Sequence, residues 1–134
     1  MDRPYELIEA SDDEELQLLS ETVRKFARAH VAVTSEESVG YRREIFELMA
    51  KSGLTGAAIS EALGGTAMSS LATSSIIFEL SRVQLGPAIY LSVHYMVSRL
   101  IETWDRAGRH HPTLRDLAAG KSLGAFCLTE ATAG

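Results

Sequence analysis

The sequence holds a single cysteine, Cys127. It cannot pair within the chain, so no internal disulfide staples the fold, and a reducing compartment is expected. Positive charge is scarce: 13 Lys and Arg stand against 18 Asp and Glu, a net charge of -5. That balance gives no basic footprint and argues against nucleic acid or an anionic membrane surface as the main partner. A membrane span is missing too, since it needs about 20 consecutive apolar residues. The most apolar stretch, residues 71–104, is broken by Gly86-Pro87 and carries Glu79, Arg82, Arg99 and Glu102. Met1 to Asp13 is acidic and lacks the basic-then-apolar pattern of a secretory leader, so the cytoplasm is the default expectation. No internal repeat and no low-complexity segment is found.

What is present is an ordinary globular composition, 46% hydrophobic and 23% charged, in a chain long enough for one real core. Residues 71–104 read as two apolar helices meeting at Gly86-Pro87, around which the rest is organised. Ile76, Ile77, Leu80 and Val83 recur at helical spacing in the first arm. Ile89, Val93, Met96, Val97, Leu100, Ile101 and Trp104 do so in the second. The spacing predicts Ile76, Leu80, Val93, Met96 and Leu100 buried, with Ser69 or Ser70 as N-cap.

The other helices read more simply. Ser11 with Glu14 forms a candidate capping box, followed by a stripe of Leu16, Leu19, Val23, Phe26 and His30. Residues 31–40 read as a polar connector, and 41–52 as a short helix with Ile45, Leu48 and Met49 inward. Gly53 supplies the left-handed residue after that helix. Pro112 to Ala119 is a last short helix closed by Gly120. Leu123 to Thr129 reads as the one strand, with no partner in the sequence. A chain that ends just after it, at Gly134, reads as cut from something longer.

Few residues advertise chemistry. Gly64-Gly65 is a plain loop before it is a phosphate cradle. Glu79 reads as a partly exposed or hydrogen-bonded acid. His94 on an apolar helix reads as a satisfied core histidine, not a ligand. His110-His111 has no cysteine or carboxylate pair nearby in sequence, so no metal site is assigned.

Five short stretches resemble the acyl-CoA dehydrogenase family in order and spacing. Leu123 to Gly134, LGAFCLTEATAG, is similar to the family's G-A-[FY]-x-[LV]-T-E-P-x-A-G-S-D. Upstream, Leu48 to Leu54 resembles L-A-x-x-G-L, and Glu61 to Gly65 resembles E-x-x-G-G. Phe78 to Ser81 stands where the family has E-E-L-A, and Pro112 to Gly120 resembles L-P-x-L-A-x-G. The likeness runs from about Ser11 onward.

The resemblance implies an all-α N-terminal domain of about five helices over 1–120. Residues 121–134 would then be the first strand of a middle β domain. It implies FAD as cofactor, with Phe126, Leu128 and Thr129 along the flavin, an apolar wall with fixed polar groups at its edge. It places Leu91, Ser92 and Tyr95 along an acyl tail and Gly134 near the thioester. The implied reaction is α,β-dehydrogenation of an acyl-CoA: a carboxylate takes the α proton while hydride passes from the β carbon to the flavin. That carboxylate belongs to a C-terminal domain, so no catalytic residue is assigned here and this chain is expected to be inactive alone. Electron-transfer flavoprotein or another acceptor, and further copies of the subunit, are the implied partners. Departures exist: Ala131 replaces the family's proline, Ser60 another, and Arg106 to His111 replaces a G-T-E-E-Q-K turn. A stand-alone helical assembly module, and a same-fold oxidase or monooxygenase, remain open readings at this point.

Overall fold

A computed structural model describes residues 13–32 and 41–132. Ser11, the connector residues 33–40 and Gly134 lie outside the described residues. Five α-helices are described: α1 Glu14–Phe26, α2 Arg43–Lys51, α3 Ser70–Ser81, α4 Leu85–Trp104 and α5 His111–Ala118. Short 3-10 turns at Leu54–Gly56 and Glu61–Leu63 lie between α2 and α3. The domain is all-α.

α1 begins at Asp13, whose carboxylate accepts the backbone N–H groups of Glu15 and Leu16. The N-cap is therefore Asp13, with Glu14 and Glu15 at the positive end of the helix dipole. Leu16 and Val23 are buried as their spacing predicts, but His30 is exposed. The cause is a π turn over Ala27–Val31, which widens the coil and brings Val31 inward instead. α2 buries Ile45, Phe46 and Met49, while Leu48 is only half-buried. Gly53 takes φ 76, and Leu54 turns back into the core beside Met49.

α1 and α3 are joined by polar contacts in an otherwise apolar seam. Ser20 and Ser75 hydroxyls lie 2.6 Å apart. Arg24 donates to both oxygens of Glu79, at 2.7 and 2.9 Å, and Arg82 stands 3.8 Å away. Glu79 is almost wholly buried, so its charge is held by this bidentate pair rather than by water. The exposed or merely hydrogen-bonded acid read from sequence is thus a buried ion pair.

The turn between the two long helices falls at Arg82–Gln84, not at Gly86-Pro87. Pro87 sits inside the first turn of α4, where its missing N–H would have had no helical partner anyway. The buried face of α4 also differs from expectation. Leu91, His94, Tyr95 and Ser98 face inward, whereas Met96 and Leu100 are each 40% exposed and Val93 is half-buried. The core on this side is Val23, Met49, Ile76, Leu80 and Leu91. A second cluster, Ile59, Leu63, Leu114 and Leu117, holds α5 against the 3-10 turns.

The stretch predicted as a strand, Leu123–Thr129, carries no regular secondary structure here, and among the described residues no second strand lies beside it to take its backbone groups.

Candidate functional site

The residues singled out for function lie on α4 and on the segment after α5. α4 rises about 30 Å over its 20 residues. Its outward stripe carries Leu85, Ile89, Met96, Leu100 and Trp104, all 40–71% exposed. Beside that stripe, between α3 and α4, runs an open cleft of about 380 Å³. Ser70, Thr73, Ile77, Ser92, Met96 and Arg99 line it, with Tyr95.

Of the three α4 residues expected to meet an acyl tail, two border this cleft. Ser92 is half-buried and its hydroxyl donates to the Ile89 carbonyl at 2.7 Å. Tyr95 contributes its ring edge, but its hydroxyl turns inward and donates to the Leu54 carbonyl at 2.6 Å. Burial pushes that phenol up from its ordinary pKa, so it stays neutral. Leu91 is fully buried in the core and supports the other two from behind. Arg99 closes one end of the cleft, donating to the Ser70 hydroxyl, the Met68 carbonyl and the Thr73 hydroxyl.

The segment after α5 is fixed at its root. Lys121 N–H donates to the Asp116 carbonyl at 2.9 Å. Gly124 N–H then donates to Nδ1 of His94 at 3.1 Å. A Cβ on Gly124 would stand 3.1 Å from the Val97 Cβ, so the glycine lets the backbone lie against α4. Beyond it, Phe126, Leu128 and Thr129 are exposed, Phe126 by 48% and Leu128 by 68%. Phe126 and Leu128 are two residues apart, so on extended backbone they share one side.

His94 is a buried ring with two polar contacts. Nδ1 accepts from Gly124, so Nε2 carries the proton and donates to the Thr55 carbonyl at 3.1 Å. Phe46 packs edge-on at 5.5 Å between ring centres. Burial holds the ring below its ordinary pKa of 6.5, outweighing the carbonyl groups that favour the cation. Sequence reading saw a satisfied core histidine but could not name its partners, which are backbone groups 39 and 30 residues away. The only local hints were a histidine inside an apolar helix and a glycine in a stretch that otherwise read as strand.

Two other sequence candidates resolve into structure. The Gly65 N–H donates to the Ser60 carbonyl and Thr66 N–H to the Gly56 carbonyl, so the turn spends these donors internally. A Cβ at Gly65 would overlap the Ile59 carbonyl oxygen, which explains the glycine without a phosphate. In the His110-His111 pair, His110 is tied to Asp105: the Asp105 carboxylate accepts the backbone N–H groups of Arg109 and His110 and stands 3.5 Å from His110 Nδ1, ahead of α5.

Residues 13–121 match the family described as acyl-CoA dehydrogenase, N-terminal domain. Acryloyl-CoA reductase (NADH) of Anaerotignum propionicum is 30% identical over 123 residues, 90% of this chain and 31% of that protein. Acyl-CoA dehydrogenase of Bacillus subtilis (strain 168) is 30% identical over 125 residues, 90% of this chain and 33% of that protein. Among solved structures, a chain of the electron transferring flavoprotein of Acidaminococcus fermentans superposes with a TM-score of 0.83. It shares 28% identity, over 92% of this chain and 34% of that one. The chain thus spans about a third of the length of the curated relatives it matches. No helix among the described residues is long and apolar enough to cross a membrane. With a family match running from Asp13 to Lys121, this chain belongs to the acyl-CoA dehydrogenase family, as its N-terminal domain.

Proposed function

We propose that this domain works within a longer FAD-dependent enzyme that dehydrogenates an acyl-CoA thioester between its α and β carbons, and that it is inactive alone. The observation that carries this reading is the family match over 13–121 joined to relatives whose names specify acyl-CoA chemistry. The chemistry of the exposed residues supports it. Phe126 and Leu128 are exposed apolar side chains, and Thr129 adds a hydroxyl and backbone groups, a set that suits one edge of a flavin. FAD, when bound, would supply the hydride acceptor. The chain's own residues bind and exclude water: Phe126 and Leu128 wall the flavin, while Ser92 and the ring edge of Tyr95 border the acyl tail. Leu91 holds that part of α4 in place, and Gly134, outside the described residues, would let backbone approach the thioester. No residue here serves as the base. Electron-transfer flavoprotein or another acceptor would take the electrons from the flavin, and homo-oligomerisation is part of the same reading.

A variant of this reading runs the same carbon–carbon couple in the reductive direction, and the relative named acryloyl-CoA reductase (NADH) favours it. The test compares this chain with the product of the whole reading frame that contains it. The longer product should bind flavin, and an acyl-CoA should bleach it. This chain mixed with FAD and butyryl-CoA should give no bleaching. Bleaching by the chain alone, or a longer product without flavin, overturns the proposal. Flavin reduction by NADH followed by reoxidation with acryloyl-CoA would identify the reductive variant.

A further inference from the structure

The geometry points to His94 as the positioning residue for segment 124–130: its neutral ring ties the segment to α4 and to the Leu54–Gly56 turn, and protonation unties it. The tie is a two-sided contact. Nε2–H donates to the Thr55 carbonyl at 3.1 Å, and Nδ1 accepts from the Gly124 N–H at 3.1 Å. Only one neutral tautomer satisfies both partners. The ring is fully buried and braced by Phe46 of α2, so it cannot swing to offer another edge without breaking the core. Gly124 is buried at this contact, whereas the residues after it are exposed, which makes it the last fixed point before Phe126.

Protonation puts a second N–H on Nδ1, facing the Gly124 N–H. Two donors then meet in a buried space, and the contact turns from attraction to repulsion. No charged side chain contributes to the titration of the ring. The groups around it are the Thr55 and Leu117 carbonyls, the Gly124 amide, the Phe46 ring and the Tyr95 phenol, which stays neutral. Lys121 and Asp116, at the root of the segment, pair with each other at 3.6 Å. The sign follows: the ring's folded pKa lies below its ordinary 6.5, so the tie is intact above that value and is lost as pH falls through the folded pKa.

The consequence for Phe126, Leu128 and Thr129 rests on the flavin reading above, but the tie does not. Its test therefore contains no flavin and can fail while that reading stands, or hold while that reading fails. Histidine ring nitrogens are labelled with 15N in the 134-residue chain, and amide exchange is followed at Gly124. At about pH 7.5, Nδ1 of His94 should be bare and Nε2 protonated, with Gly124 protected at least about tenfold over a free amide. Protection should fall as the ring takes up its proton. His94→Phe should remove Gly124 protection at every pH while Leu91 and Ser98 amides stay protected. His94→Gln, which keeps an acceptor and a donor, should restore part of it. A protonated Nδ1 near neutral pH, or equal Gly124 protection in wild type and His94→Phe, overturns the proposal. Should both variants fail to fold, the ring tautomer and the pH series on the unaltered chain decide alone, and pH-independent protection across the ring's titration overturns it.

Discussion

The two faces of α4 invert the usual expectation. The inward face carries Leu91, His94, Tyr95 and Ser98, three of them polar, and all are buried. Each polar group there has a partner: His94 has two, Tyr95 donates to the Leu54 carbonyl, and Ser98 donates to the His94 carbonyl at 2.7 Å. The outward face carries Leu85, Ile89, Met96, Leu100 and Trp104, all exposed. Burial therefore follows partnership as much as hydrophobicity. A polar group is tolerated inside when its hydrogen bonds are made, and a large apolar residue stays outside when nothing packs on it. A contiguous apolar stripe also marks a face built for contact. In the proposed reading, the remainder of the longer enzyme covers it.

The strongest way to test this inversion is Leu91→Ala. Leu91 has no exposed surface, and truncation leaves a cavity between α4, α2 and α3. The expected cost is about 2–5 kcal/mol, read as a lower urea midpoint at unchanged slope. A cost within about 0.5 kcal/mol would mean that this face is not the core.

Tyr95→Phe comes next. The ring stays, and only the 2.6 Å bond to the Leu54 carbonyl is lost, while that carbonyl keeps the Ala57 N–H at 3.3 Å. The expected cost is about 0.5–1.5 kcal/mol. No change would show that the hydroxyl contributes nothing and that Tyr95 is buried for its ring alone.

Much of this fold is legible in the sequence, where polar and apolar residues alternate sharply enough to mark a face. Leu16 and Val23 on α1, Ile45 and Met49 on α2 and Ile76 and Leu80 on α3 are buried where the spacing puts them. Gly53 and Pro112 sit where helix ends need them. The failures have physical causes. On α4 the apolar residues cover most of the circumference, so helical spacing offers no contrast by which to choose a face. The π turn in α1 alters the period after Phe26, which no local pattern announces. The buried pair of Arg24 with Glu79 and the contact of His94 with Gly124 join residues far apart in the chain. Of the proposed site, the Phe126–Thr129 stretch is legible as a family motif, but a strand reading needs a neighbour, and among the described residues there is none.

Leu100→Ala is the smallest effect and the sharpest comparison. It repeats the Leu91 substitution nine positions along the same helix, on the opposite kind of face. Leu100 is already 40% exposed, so part of its transfer free energy was never gained and truncation opens no closed cavity. The expected cost in this chain is about 1 kcal/mol or less. If the stripe is covered in the longer enzyme, the same substitution there should cost more, rising toward the range expected of Leu91→Ala. Urea unfolding of both proteins, each with and without the substitution, makes the comparison. An equal, small cost in both would mean that α4 keeps its apolar face in water even in the whole protein, and that the covered-face explanation of the stripe is wrong. A large cost in the isolated chain would mean instead that α4 is rotated, with Leu100 and not Leu91 in the core.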